Sequence, residues 1–174
     1  MTHRSCFRRI LCGLLILCML LFAGAFVSCT QNEPIMNGAT YRFVCGNVTV
    51  FVNDDAATVL DALGAWKQYS ESPSCLFDGL DKVYVYGGFR IQTYPQNGGE
   101  FVYSIELLDD SVATPEGIMI GSSRDAVLEK YGEGAKETAT AMIYTDASGG
   151  TELMFSFRDG KVTNIQYKKI VENG

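Results

Sequence analysis

The hydrophobic positions between residues 118 and 132 predict a strand end, a short amphipathic helix and a glycine that stops it. The same pattern occurs 68 positions earlier, from Val52 to Gly64. In this register Val59 corresponds to Val127, and the apolar residues of each helix fall at spacings of three and four, on one face. The chain is therefore predicted to contain two copies of one structural unit.

Both predicted helices carry N-terminal signals. The first is expected from about Asp54 to Leu63, with Asn53 or Asp54 as its N-cap. In the second copy Ser122 and Asp125 have the spacing of a capping box, with Asp in place of the usual Glu. Each helix is only about three turns long, so packing against a sheet must stabilise it.

Alternating apolar residues and short turns predict strands around both helices. A strand or hairpin is expected over Tyr41–Val52, and two strands flank the Gly87-Gly88 turn. A further turn is expected at Asp159-Gly160. After Val52 the predicted strands are Val83–Tyr86, Phe89–Tyr94, Phe101–Leu108, Ala141–Tyr144, Leu153–Arg158 and Val162–Lys169.

The order of these elements predicts an α+β fold made of two tandem repeats, each a short helix packed on an antiparallel β-meander. We assign residues 41–112 to the first repeat and 113–174 to the second. The connection from Asp109 to Pro115 is short, which favours one continuous sheet.

The N-terminal residues have the features of a secretory signal, expected over residues 1–28 and followed by a polar tether over 29–40. Arg4, Arg8 and Arg9 precede an uncharged run from residue 10 to 29. The sequence before Cys29 resembles a lipobox, so we expect lipidation of Cys29 and attachment to the extracytoplasmic face of the cell membrane. Secretion after Ala23-Gly24-Ala25 and retention as a single membrane span are the alternatives.

The net charge of the mature chain narrows the possible partners. Without the three arginines of the leader, 11 basic residues face 20 acidic ones, a net charge of −9. Such a chain repels phosphate backbones, so nucleic acid is not an expected partner.

Cys45 and Cys75 are the two cysteines beyond residue 29, and either a disulfide between them or two buried free thiols is possible.

The segment from Gly117 to Gly132, with its capped helix ending in Tyr-Gly, resembles the β-lactamase inhibitor protein family. It is also similar to the single-copy domain of the SmpA/OmlA outer-membrane lipoproteins. The residues from Cys75 to Gly79 onward look like those of uncharacterised lipoproteins of Gram-positive anaerobes. The resemblance implies a tandem helix-on-sheet fold and a protein-binding role. No inhibitory residue can be carried over, because no loop matches one residue by residue.

The residues offer little for catalysis. The single histidine, His3, lies in the leader, which leaves no imidazole base or ligand in the mature chain. We therefore expect neither an enzyme, nor a cofactor, nor a metal site. The acidic pairs Asp54-Asp55 and Asp109-Asp110 are interpreted as cap and turn residues, with a carboxylate-based hydrolase as a weaker alternative.

Aromatic side chains carry the functional hypothesis. Alternation places Phe101, Tyr103, Ile105 and Leu107 beneath the helices, with the corresponding residues Leu153, Phe155, Phe157, Ile165 and Tyr167 in the second copy. Tyrosine and arginine on the opposite face are typical of protein interfaces. We expect a protein partner to bind Tyr84, Tyr86, Arg90, Tyr94, Tyr144 and Arg158.

Two other interpretations of these aromatic residues stay open. The tyrosines could simply suit exposed strands. They could also stack against a small ligand or a cell-wall glycan. Trp66, just past the end of the first helix, is interpreted as a local packing residue.

Overall fold

A computed structural model describes residues 41–133 and 136–171 of the 174-residue chain. The described residues belong to one compact unit. The predicted lipidation site Cys29, the alternative cleavage site Ala23-Gly24-Ala25 and the uncharged run that precedes Thr30 lie outside them.

The described residues form ten strands and two helices. In chain order these are β1 (Phe43–Cys45), β2 (Val48–Val50), α1 (Ala56–Leu63), β3 (Gln68–Pro73), β4 (Leu80–Val85), β5 (Phe89–Gln96), β6 (Gly99–Leu107), α2 (Arg124–Tyr131), β7 (Lys136–Glu137), β8 (Ala141–Thr145), β9 (Thr151–Arg158) and β10 (Lys161–Lys169). The α+β class is therefore correct, with strands in clear excess.

Eight strands form one antiparallel sheet in the order β3-β4-β5-β6-β10-β9-β8-β7. The hairpin of β1 and β2 is a separate two-stranded sheet. The described residues thus form two sheets, whereas the sequence analysis predicted one continuous sheet. Strands β6 and β10 are neighbours at the centre of the large sheet, where Leu107 lies opposite Ile165.

The outermost strands β3 and β7 were not predicted. All six residues of β3 are exposed, and its sequence Gln-Tyr-Ser-Glu-Ser-Pro has no apolar alternation. Strand β7 has only two residues, both exposed. Because an edge strand pairs on one side only and buries little, the hydrophobic pattern does not reveal it.

Both helices begin later than expected: α1 starts at Ala56, two residues after the expected Asp54, and the cap of α2 is Ser123, one residue after Ser122. Asp55 caps α1 by accepting a hydrogen bond from the Thr58 amide at 2.9 Å. Ser123 caps α2 in the same way, from the Ala126 amide at 3.2 Å. The side chain of Asp54, one residue earlier, instead accepts from the Phe51 amide at 2.8 Å and closes the preceding turn.

The β1–β2 hairpin and both helices contribute to one hydrophobic core with a single face of the large sheet. The Phe43 ring of β1 lies 4.8 Å from Phe89, and the Tyr131 ring of α2 lies 5.0 Å from Phe155. We call this the covered face. One row of residues directly opposite one another crosses it, all buried: Tyr84, Ile91, Ile105, Tyr167, Leu153 and Tyr144.

The predicted floor beneath the helices is correct for Ile105 and Leu107 of β6, which are buried. Phe101 and Tyr103 are only half-buried, and their rings contact Tyr94. The reason is a shift by one residue in the register of β5 against β6, between Gln92 and Thr93. Such a shift changes the side to which the following side chains point.

Of the two alternatives left open by the sequence, the structure shows free thiols and no disulfide between Cys45 and Cys75. They are not both buried, however, because Cys75 is exposed. Cys45 ends β1 and packs against the core, where it is half-buried. Cys75 is exposed in the loop between β3 and β4, which the Ser74 amide closes by donating to the Gly79 carbonyl at 2.9 Å. The two residues therefore belong to separate local structures.

Candidate functional site

The hairpin of β4 and β5 turns two of the predicted partner-binding tyrosines inward. The Tyr86 amide donates to the Phe89 carbonyl at 2.9 Å, so Gly87-Gly88 is a two-residue turn. This register places Tyr86 beside Phe89 and Tyr84 opposite Ile91. The Tyr86 and Phe89 rings stack at 4.9 Å, and only 6% of Tyr84 and 7% of Tyr86 is exposed. The prediction that they are exposed is wrong.

Tyr94 and Tyr144 are buried as well, each for a local reason. Tyr94 lies on the same side of β5 as Arg90, but the Phe77 ring closes over it at 4.4 Å. Tyr144 pairs with Leu153 on the covered face, and its hydroxyl donates to the Gly132 carbonyl at 3.0 Å. These two tyrosines therefore stabilise the fold and cannot present their rings to a partner.

Arg90 and Arg158 are the predicted partner-binding residues that the structure exposes. Arg90 Nε lies 2.8 Å from Glu106 Oε2, and the Asn164 amide group donates to the other oxygen of Glu106. Arg158 is the last residue of β9, a different strand from the β5 strand that holds Arg90, and it lines a separate groove. The six predicted residues thus do not form one surface.

No described helix or strand packs on the face of the large sheet opposite the core, and we call it the uncovered face. The loop between β3 and β4 covers one part of it, where Phe77 lies over Tyr94. One row of directly opposed residues on it is Val85, Arg90, Glu106, Gln166, Met154 and Ile143. All six are half-buried or exposed. The next row contains Val83, Gln92, Ser104, Lys168 and Glu152. The uncovered face combines charged, amide and aliphatic groups.

The groove beside Arg158 has a volume of ≈ 810 Å³ and lies near the short edge strand β7. The Arg124 guanidinium lies 4.8 Å from the centre of the Phe157 ring and 3.2 Å from Glu137 Oε2. At this groove Glu137 and Asp159 balance the charges of Arg124 and Arg158. Its net charge therefore favours neither an anionic nor a cationic ligand.

Burial keeps the interior tyrosines neutral. It raises the pKa of Tyr41 and of Tyr144 to about 12, and that of Tyr131 further. A phenol held neutral in this way is a poor general acid or base at neutral pH. No group of three or more His, Cys, Asp or Glu residues in the described ranges could hold a metal ion. Neither described helix is long and apolar enough to cross a membrane.

Sequence reasoning missed an exposed aromatic pair at the outer edge of the sheet. Trp66 is 45% exposed and Tyr69 is 46% exposed, next to and within β3. The available signal was a tryptophan two residues after Gly64, the glycine that stops the helix. This signal could not place Trp66 at the sheet edge, because strand β3 was not predicted.

Comparisons with known proteins provide little further guidance. No family model matches the chain, and no curated protein matches it. A crystal structure of an extracellular protein containing a SCP domain from Bacillus anthracis str. Ames is similar at a TM-score of 0.44 and 13% identity. The match covers 68% of this chain and 44% of that protein, so this chain corresponds to less than half of its length.

Proposed function

We propose that this is a non-catalytic lipoprotein of the extracytoplasmic membrane face that binds another protein through its uncovered sheet face. The observation that carries the proposal is the contrast between the faces. The protein's own helices and hairpin fill one face, whereas no described element packs on the row through Arg90, Glu106 and Met154.

The size and chemistry of the uncovered face suit this role. Strands about 4.8 Å apart make an eight-stranded sheet ~35 Å wide, which is enough for the ~800 Å² that one partner buries in a standard interface. Val85, Met154 and Ile143 offer apolar area, and Arg90 is of a residue type enriched at interfaces. Glu106 fixes the position of the Arg90 guanidinium before binding.

We further propose that the fold is a tandem repeat of the kind found in the β-lactamase inhibitor protein family. Corresponding backbone contacts at the two helix starts support the repeat. The Asn53 amide donates to the Val102 carbonyl at 2.9 Å, and Gly121, 68 positions later, donates to Val162 at 2.8 Å. Both donor residues have positive φ, 72° and 90°.

The test of partner binding is photo-cross-linking in intact cells. A benzophenone amino acid at Gln92 or Gln166, both on the uncovered face, is expected to give adducts with the same protein. The matched control is Asp61, which is exposed on α1 on the opposite side of the sheet. Adducts at Asp61 with none at the two glutamine positions would contradict the proposal.

Attachment at Cys29 is tested separately. Mass spectrometry of the membrane fraction is expected to find a diacylated N-terminal cysteine. A chain that begins at Phe26, or one that retains Met1, would exclude lipidation at Cys29.

A further inference from the structure

Two exposed aromatic rings stand at the outer edge of the large sheet, away from the uncovered face. Trp66 precedes β3, and Tyr69 lies within it directly opposite Tyr84 of β4. Nearly half of each side chain is exposed, 45% for Trp66 and 46% for Tyr69. Tyr84, in contrast, is buried.

Both exposed rings rest on the Tyr84 ring. The Trp66 ring meets it edge to face with centroids 5.1 Å apart, and the Tyr69 ring meets it at 5.2 Å. The backbone after Trp66 is anchored, because the Lys67 amide donates to the Val85 carbonyl at 2.7 Å. The two rings therefore have fixed positions before any ligand arrives, which lowers the entropy cost of binding.

Carboxylates lie beside these rings. The Tyr69 hydroxyl donates to Glu71, and the Tyr84 hydroxyl donates to Glu100 Oε1 at 3.3 Å. Lys82 forms an ion pair with Glu100. Carboxylate oxygens accept hydrogen bonds from hydroxyl groups, and two carboxylates against one lysine disfavour a ligand that is itself an anion.

We propose that Trp66 and Tyr69 form a stacking platform for the sugar rings of an uncharged polysaccharide. A pyranose ring has an apolar face of C–H groups and an edge of hydroxyl groups. The first matches an exposed aromatic ring, and the second matches the neighbouring Glu71. Both oxygens of Glu100 are already bound, one by Lys82 and the other by Tyr84 and Thr93. The pair is also small compared with a standard protein interface, which involves about 20–30 residues on each side.

Trp66 is the single tryptophan of the chain, so its fluorescence reports on this platform alone. The whole protein, isolated from the cells that produce it, is titrated with cellohexaose and, in a separate experiment, with chitohexaose. Comparing the two distinguishes binding of a glucan from binding of an N-acetylglucosamine polymer. A saturable fluorescence change is expected with at least one of them. The bound sugar should also protect Trp66 from quenching by acrylamide, a measurement that needs no variant.

Tyr69→Ala keeps the tryptophan reporter and removes the second ring, so it is expected to weaken sugar binding at least tenfold. The matched control is Met119→Ala, which truncates another exposed apolar side chain far along the sequence and should leave binding unchanged. Circular dichroism checks that both variants fold. The proposal is overturned if neither oligosaccharide changes the fluorescence or protects Trp66, or if folded Tyr69→Ala binds as tightly as the parent protein.

Discussion

The two faces of the eight-stranded sheet use similar strands for opposite purposes. On the covered face, rows of Tyr, Phe, Ile and Leu are buried beneath the hairpin and the helices. On the uncovered face the same strands present Arg90, Gln92, Glu106 and Gln166. On these two faces the aromatic residues build the interior, and the polar residues stay accessible to solvent. Tyrosine content alone therefore does not locate a binding surface.

The covered face should be the most sensitive to truncation. Phe155 is fully buried and contacts both Tyr131 and Tyr144. Phe155→Ala is expected to lower the free energy of unfolding by about 3–5 kcal/mol, because it leaves a cavity. Urea denaturation measures the change. Ser156→Ala, the next residue and on the uncovered face, is the control and should change stability by less than about 0.5 kcal/mol. Equal losses would mean that both faces are buried.

Alkaline pH should unfold the protein through the same tyrosines. Burial raises the pKa of Tyr144 and of Tyr41 to about 12 in the folded chain, against 10.0 in the unfolded one. Because the folded pKa is the higher one, the stabilisation is complete below pH 10 and is lost as the pH rises towards 12. Absorbance at 295 nm and circular dichroism should therefore change together. Ionisation of all tyrosines near pH 10 without unfolding would contradict this burial.

The smallest expected effect concerns one hydroxyl of the covered face. The Tyr86 hydroxyl is buried and has no hydrogen-bond partner among the described residues. Removing an unsatisfied buried polar group lowers a desolvation cost of about 1–3 kcal/mol, although Tyr86→Phe also alters local packing. We expect Tyr86→Phe to leave the melting temperature unchanged or to raise it by a few degrees. A clear decrease would show that this hydroxyl has a partner.

Helices, hairpin turns and most interior strands could be predicted from sequence because each has a local signal. The Gly87-Gly88 turn also determines which face Tyr84 and Tyr86 occupy, and this information was not used. A two-residue turn puts Tyr86 opposite Phe89 and Tyr84 opposite Ile91, so these four residues share a face. The predicted exposure of the two tyrosines conflicts with that register. Reading the strands by alternation alone, without the turn, reversed their orientation.

Other features depend on contacts that no local pattern encodes. Tyr94 is buried because Phe77, in a loop 17 positions earlier, folds over it. The register shift beside Thr93 changes the side on which Phe101 lies. Strand β3 forms because β4 offers it a partner along six residues, not because its own residues favour burial. Such features follow from tertiary packing, which overrides local propensity.

The central claim is that the uncovered face binds a partner protein, and Arg90 tests it most directly. Once cross-linking at Gln92 has identified the partner, its affinity for Arg90→Ala and for the control Asp61→Ala can be measured by calorimetry. We predict that Arg90→Ala weakens binding by about 1–2 kcal/mol. Because the ion pair with Glu106 that this variant loses is exposed on the arginine side, its folding stability should change by less than about 1 kcal/mol. Asp61→Ala should bind like the parent protein. Unchanged affinity for Arg90→Ala, together with weaker binding by Asp61→Ala, would contradict the claim and assign the partner to the helix side.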